Sequence, residues 1–400
     1  MNKGKDNKPH IAIFGRRNVG KSSFINAITK SDISIVSDTP GTTTDPVKKS
    51  MEIFGIGPVI LIDTAGTDDV GELGDKRIKK TFEIIKQIDY AIIVTDFNCF
   101  SIYEENLIKE LNQYKVDYCI IHNKSDLQKL TNNTIKQIRS YTNAPIVEFS
   151  ANTSNNLEEI IETIKNNIPE NSYKKMSLFD NIVHAGDIVM LITPIDSEAP
   201  EGRMILPQVM AIRSILDKQA VNIVLKETEV DAFLKKTGIK PSLVVTDSQV
   251  FHNVNKIIPK DIPLTGFSVA FANLRGPFDE YVKGTKKIAE LKNGDHILIL
   301  ESCTHQISCE DIGRTKIPKW LSEYTSKKLT FDVVIGLNNI NRPITDYALI
   351  IQCGGCMITR KQLINRLQIA IDAGIPITNY GLLIAYINGI FERAVAPFIK

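Results

Sequence analysis

The sequence predicts an α/β protein that opens with a parallel sheet flanked by helices and continues through two further α/β segments. Three observations predict it. Short apolar runs alternate with amphipathic stretches along most of the chain, the pattern of strands joined by crossover helices. A glycine-rich GRRNVGKS (15–22) lies between the first apolar run and the first helical pattern. The alternation restarts twice, after a polar break near residue 171 and again near residue 266. A chain of 400 residues accommodates roughly two to four domains.

In the segment 1–170, IAIFG (11–15), VILID (59–63), YAIIVTD (90–96), YCIIHN (118–123) and APIVEFS (144–150) read as buried strands, with helical patterns such as KSSFINAIT and DKRIKKTFEIIKQI between them. Residues 171–177, NSYKKMS, read as a linker. In 178–265 the strands DIVMLITPI, VNIVL and PSLVVTD accompany the helical pattern LPQVMAIRSILDKQA. In 266–400 the strands are HILILES, FDVVIGL and YALIIQ, and KQLINRLQIAIDAG is the clearest helix. Ligands of open parallel sheets gather at the carboxyl ends of strands, so the residues just after each run carry the chemistry.

Composition narrows the class. Hydrophobic residues are 43% and charged residues 24%, which excludes disordered and collagen-like chains. The net charge is +2, from 48 basic and 46 acidic residues, and gives no electrostatic case for nucleic acid or an anionic membrane as the main partner. No apolar run is long enough for a membrane-spanning helix. The start, MNKGKDNKPH, has no apolar signal-peptide core, so a cytoplasmic address is expected. Six cysteines remain to be explained, because a reducing compartment gives no disulfide rationale. Cys99 and Cys119 adjoin early strands and read as core, whereas Cys303, Cys309, Cys353 and Cys356 crowd the end of the chain.

The first segment carries a guanine nucleotide site. GRRNVGKS matches the phosphate loop, and it follows a strand and opens a helix as that loop must. Gly15 and Gly20 permit the tight path, and Asn18, Val19 and Ser23 complete the wall. Lys21 would reach the terminal phosphates and Ser22 would ligate Mg²⁺. Asp63 of DTAG (63–66) would hold the metal through a water, and Gly66 would bond the γ-phosphate. Thr43, in DTPGTTTD (38–45), is the expected metal ligand of a loop closing over the γ-phosphate, with Thr42 or Thr44 as alternatives. Lys21, Thr43, Asp63 and Gly66 are therefore the expected catalytic set. In NKSD (123–126), Asn123 would bond N7 and Asp126 would accept two protons from the guanine edge, which adenine cannot supply; Lys124 lies between them. Ser150 and Ala151 would place an N–H against O6. GTP and GDP, with Mg²⁺, are the expected ligands.

The last segment carries metal-binding residues. CTH (303–305) follows HILILES, and QCGGC (352–356) follows YALII. If the two strands are parallel neighbours, the pairs converge at one sheet edge. Cys303, Cys353, Cys356 and His305 suit a Cys₃His zinc site; the three thiolates suit a 4Fe–4S cluster with one iron left open. Spacing alone leaves both readings standing. Cys309 is a possible rival ligand, and Arg203 is a candidate phosphate or partner contact.

The nucleotide motifs resemble those of translation-factor-related GTPases of the TrmE–Era type. That resemblance implies that Asn18 helps to coordinate K⁺ in place of an arginine finger. It also places Thr67 where other members carry a water-orienting glutamine, which implies slow intrinsic hydrolysis. The loops 37–46 and 66–77 would be the switch, with Gly71 and Gly74 as flexible points. Over the whole chain, the G domain followed by C-x-H and C-x-x-C resembles the HydF family of FeFe-hydrogenase maturation GTPases. PIDSEAPEGRMILPQVMAIRSILD and TNYGLLIAYINGIFERA are similar to that family too. The resemblance implies a 4Fe–4S cluster on Cys303, Cys353 and Cys356, with 266–400 as the cluster domain and 178–265 as a dimerisation domain. It also implies a homodimer that carries the two-iron precursor of the hydrogenase active site, with apo-hydrogenase and the radical-SAM maturases as partners. Family members commonly have histidine where this chain has Gln352, so His305, or Glu301, Glu310 or Asp311, is a candidate fourth ligand. The alternative function is a ribosome- or tRNA-associated GTPase with a structural zinc domain.

Overall fold

The computed structural model describes residues 8–29, 34–37, 47–53, 56–66, 81–153, 155–172, 177–195, 204–302, 312–355 and 357–399. Thr42, Thr43, Thr44, Thr67, Gly71, Gly74, Arg203, Cys303, His305, Cys309, Glu310, Asp311 and Cys356 lie outside the described residues. The chain divides into two compact units, Met1–Lys175 and Met176–Lys400.

The first unit is built on a sheet of order β2-β3-β4-β1-β5-β6-β7. Its strands are β1 (His10–Phe14), β2 (Ser34–Ser37), β3 (Val47–Ile53), β4 (Gly57–Asp63), β5 (Tyr90–Asp96), β6 (Asp117–Asn123) and β7 (Ile146–Glu148). β1 runs parallel to β4 and β5, and β6 runs parallel to β5 and β7. The alternation of side chains builds a core on each face. Ile11 and Ile13 of β1 join Ile92 and Val94 of β5 in one core, and Ala12 and Phe14 join Ala91 and Ile93 in the other. Each of the isoleucine, valine and phenylalanine side chains taken fully from water stabilises by about 1.5–3 kcal/mol. Two strands extend the expected five: β3 is antiparallel to both β4 and β2. In β3 the buried Met51 and Ile53 flank the exposed Glu52, so this strand keeps one wetter face than β1.

The second unit holds two four-stranded sheets, parallel throughout. One has the order β11-β10-β8-β9, from β8 (Ile188–Ile192), β9 (Val221–Leu225), β10 (Leu243–Thr246) and β11 (Leu264–Gly266). The other has the order β13-β12-β14-β15, from β12 (His296–Glu301), β13 (Thr330–Ile335), β14 (Leu349–Gln352) and β15 (Ile377–Asn379). The helix Phe267–Arg275 packs Phe267, Ala270, Phe271 and Leu274 into the core of β8 and β10. The two sheets share their packing: Phe251 and Val269 lie in one core with Leu298 and Ile350, and the Thr265 hydroxyl donates to the Ala394 carbonyl at 2.7 Å. Gly284, in the helix Phe278–Lys286, lies so close to β15 that a Cβ there would stand 2.0 Å from the Ile377 oxygen.

Among the described residues, no helix is long and apolar enough to cross a membrane.

Candidate functional site

Five strand ends of the first unit meet around the phosphate loop. The loop leaves β1 at Gly15 and enters the helix Lys21–Thr29. Gly20 has φ +94°, and a Cβ there would lie 2.2 Å from the Asn123 amide nitrogen, so both conformation and space require glycine. The Lys21 ammonium donates to the carbonyls of Gly15 at 2.9 Å and Arg16 at 2.7 Å, which holds it across the mouth of the loop. At the end of β4, the Ser22 hydroxyl donates to Asp63 Oδ2 at 3.0 Å. The two expected oxygen donors for Mg²⁺ are thus adjacent. The Thr64 hydroxyl donates to the Ile13 carbonyl at 2.7 Å and locks the exit of β4 against β1; the buried Gly66 follows. Ser22 and Ser23 are exposed.

The base-reading motif is tied to the same loop. Asn123, 2% exposed at the end of β6, donates from Nδ2 to the Val19 carbonyl at 2.8 Å, and its Oδ1 is buried without a partner. An amide has two N–H groups, so one stays available to a purine N7. Lys124 Nζ donates to the Asn18 carbonyl at 2.8 Å and to Asp96 Oδ2 at 2.6 Å. Asn18 itself is exposed with φ +61°. Asp126 is exposed, and the hydroxyl of Ser150 first, then the amide of Asn152, hold its carboxyl below the ordinary carboxylate range. Asn152 reaches it at 3.2 Å. The Ser125 N–H donates to the Phe149 carbonyl at 3.0 Å, which sets NKSD beside the buried Ser150 and the half-buried Ala151.

One cysteine departs from expectation. Cys119 is core, fully buried, but Cys99 is exposed. It lies beyond the end of β5, after a turn in which Phe97 and Asn98 both take left-handed backbone, φ +48° and +54°. Arg16 of the phosphate loop donates to its sulfur at 2.9 Å and to its carbonyl at 2.7 Å, and pairs with the buried Glu104 at 2.9 Å.

In the second unit, β12 and β14 are parallel neighbours with Leu300 opposite Gln352, so Ser302 and Cys353 follow adjacent strand ends. Cys353 is 8% exposed, and its sulfur is ringed by donors. The Ser302 N–H lies at 3.2 Å, the Gly355 N–H at 3.4 Å and the Gln352 amide nitrogen at 3.4 Å; the Ser302 hydroxyl is 3.1 Å away. Asn379, at the end of β15, donates to the Cys353 carbonyl at 3.2 Å. Glu301 pairs through Oε2 with Arg314, at 2.9 and 2.8 Å. Arg366 donates to the carbonyls of Glu301 and Val334 at 3.0 and 2.9 Å. Burial pulls its pKa down to about 10, against the attraction of Cys353. No group of three His, Cys, Asp or Glu among the described residues is placed to hold a metal. What the described part of the site offers is a buried sulfur with hydrogen-bond donors on several sides.

Comparison with known proteins places these features. A 50S ribosome-binding GTPase family matches residues 10–124. Among curated relatives, the tRNA modification GTPase MnmE of Aquifex aeolicus is 31% identical over 44% of this chain and 38% of its own length. The GTPase Der of a Nitratiruptor species is 32% identical over 40% of this chain and 36% of its own. The chain thus spans little more than a third of either relative. A crystal structure of Era with MgGDPNP and 16S ribosomal RNA aligns at 24% identity, TM-score 0.35, over 41% of this chain and 58% of that one. The hydrogen maturase F dimerization domain matches residues 178–276, and the hydrogen maturase F tetramerization domain matches 279–397. A P-loop GTPase domain followed by these two domains, which together span more than half of the sequence, is the hydrogen maturase F architecture, and the chain belongs to the HydF family.

Proposed function

We propose that the protein is a GTP-hydrolysing maturation factor that carries the two-iron precursor of the FeFe-hydrogenase active site on a 4Fe–4S domain and delivers it to apo-hydrogenase. The observation that carries the reading is the pairing, in one HydF-family chain, of an assembled phosphate loop with the hydrogen-bonded sulfur of Cys353 at the β12–β14 edge.

In the G domain, Lys21 gives up its loop carbonyls for the β- and γ-phosphates, and Asn123 and Asp126 read the base. Ser22, Asp63 and Thr43 would hold Mg²⁺, which supplies charge to the phosphates. Asn18 would hold K⁺, and the absence of a glutamine at Thr67 makes hydrolysis slow. Cys303, Cys353 and Cys356 are the proposed cluster ligands, with His305 or an exchangeable group as the fourth. An exchangeable position suits a carrier, because cargo must arrive and leave. Radical-SAM maturases and apo-hydrogenase are the proposed partners, in the cytoplasm.

Self-association has support in the second unit. β9 is an edge strand, and its Val221 and Val224 are 51% and 43% exposed; Val209 and Leu216 of the helix Leu206–Asp217, which packs against β9, are 49% and 55% exposed. An apolar sheet edge of this kind invites a second chain. We propose a homodimer through 178–265.

Anaerobic purification, iron and sulfide analysis and electron paramagnetic resonance (EPR) test the reading. The expected result is a 4Fe–4S signal and activation of apo-hydrogenase by the loaded protein. Stoichiometric zinc with no such signal overturns it, in favour of the ribosome- or tRNA-linked alternative.

A further inference from the structure

Gln352 is fully buried at the end of β14, next to Cys353. Its Nε2 lies 3.1 Å from the Cys353 carbonyl oxygen, 3.3 Å from the Ser302 hydroxyl and 3.4 Å from the Cys353 sulfur. The carbonyl oxygen can only accept, and the flipped amide would set oxygen against oxygen at that distance. The orientation is therefore fixed: nitrogen toward Cys353 and oxygen away. A buried thiolate likewise only accepts. With the N–H groups of Ser302 and Gly355, the amide gives the sulfur a third N–H donor.

We infer that Gln352 is a positioning residue which donates an N–H to the sulfur of Cys353, raising the reduction potential of the cluster bound there, and is not an iron ligand. The inference rests on the cluster reading above. Donors to a ligating sulfur draw off negative charge and favour the reduced, more negative cluster. The alternative, ligation through Oε1, sets a neutral amide oxygen against iron already held by soft thiolates, which is a poor match. Oε1 is buried without a partner, so the test must separate the two roles.

The test uses the full chain, reconstituted anaerobically, with iron content, EPR and a dithionite titration of the one-electron couple. Gln352→Leu removes the donor. The expected result is wild-type iron content and EPR line shape with a lower potential. A bond that biases the couple tenfold shifts it by about 59 mV. Gln352→Glu keeps an oxygen at the ligating end and loses the N–H. It should show a downward shift at least as large, because a carboxylate also adds negative charge beside the cluster, whereas a ligating role predicts an altered line shape in Leu. An unchanged potential in both variants overturns the inference while leaving the cluster in place. A wild-type protein that takes up no cluster overturns the underlying reading, and this inference with it. Should the variants fail to fold, wild-type protein with ¹⁵N in its glutamine side-chain amides decides the matter. A weak ¹⁵N coupling transmitted through the sulfur is expected, and no coupling, or the strong coupling of a directly bound nitrogen, overturns the proposal.

Discussion

Gly20→Ala strikes a place where the phosphate loop and the base-reading motif touch through buried atoms. The new Cβ would stand 2.2 Å from Asn123 Nδ2, on a backbone with φ +94°. Two costs add. A non-glycine residue held in such a conformation costs about 1–3 kcal/mol. Pushing Asn123 away breaks its 2.8 Å bond to the Val19 carbonyl and strands buried polar atoms, at about 1–3 kcal/mol more. The sum, about 2–6 kcal/mol, corresponds to a fall of about 1–3 M in a urea midpoint at a slope of about 2 kcal/mol per M. The two units give separate readouts. Trp320, the lone tryptophan, belongs to the second unit, so its fluorescence follows that unit, while nucleotide release follows the first. The substitution should move the nucleotide-release transition, weaken GDP binding at least tenfold and leave the tryptophan transition in place. Wild-type GDP affinity with an unmoved release transition would refute the reasoning, because neither the conformation nor the contact would then matter.

Three further outcomes follow from the same site. Lys21→Ala should abolish GTP turnover while anaerobic iron content stays at the wild-type level, measured on one preparation. Replacing K⁺ by Na⁺ should slow hydrolysis severalfold, and equal rates would remove the role given to Asn18. Asp126 has a depressed pKa, so its contribution is fully present above the ordinary carboxylate value of about 3.9 and is lost only as pH falls through the lower folded value. GDP affinity should accordingly show no loss attributable to Asp126 between about pH 8 and about pH 5, and Asp126→Asn should weaken it across that whole range.

Continuous apolar runs made most of the sheet legible. YAIIVTD is buried throughout as β5, and HILILE and LIIQ are buried nearly throughout as β12 and β14, because a strand covered on both faces has no polar positions to blur it. β3, VKKSMEI, escaped because Lys48 and Glu52 on its exposed side and Lys49 on the other break the apolar run. β11 (LTG) and β15 (ITN) each hold a single large apolar residue, so no apolar run registers. The site divides in the same way. Gly15, Gly20 and Lys21 were readable because a phosphate loop fixes residue type by backbone shape and charge, and Asn123 because NKSD follows a buried strand. Asp96 as the anchor of Lys124, and Ser302 and Asn379 around Cys353, were not, since each acquires its role from a neighbouring strand far away in sequence. Asp96 carried a weak signal, as a carboxylate ending a buried strand. Cys99 was misread because adjacency to a strand does not say on which side of its end a residue falls.

The carboxyl ends of β1 and β14 solve one problem twice, and Gly355 tests the second solution as Gly20 tests the first. At the phosphate loop, a glycine-shaped turn aims donors at a polyphosphate; at β14, the turn after Cys353 aims the Gly355 N–H at a sulfur 3.4 Å away. Gly355 has φ +73°, and a Cβ there would meet Leu363 Cδ1 at 2.5 Å. The methyl end of Leu363 can shift, so the conformational cost of about 1–3 kcal/mol dominates. It falls on the turn that leads into the helix Arg360–Asp372, whose start is fixed by the reciprocal bonds of Thr359 and Gln362 at 2.9 and 3.2 Å. Strain introduced at residue 355 falls on the N–H that bonds the Cys353 sulfur. Gly355→Ala should therefore lower the tryptophan transition of the second unit and the iron retained after desalting, with GDP affinity unchanged. Full iron retention with a lowered transition would show that the turn serves stability alone and that the sulfur does not depend on this donor.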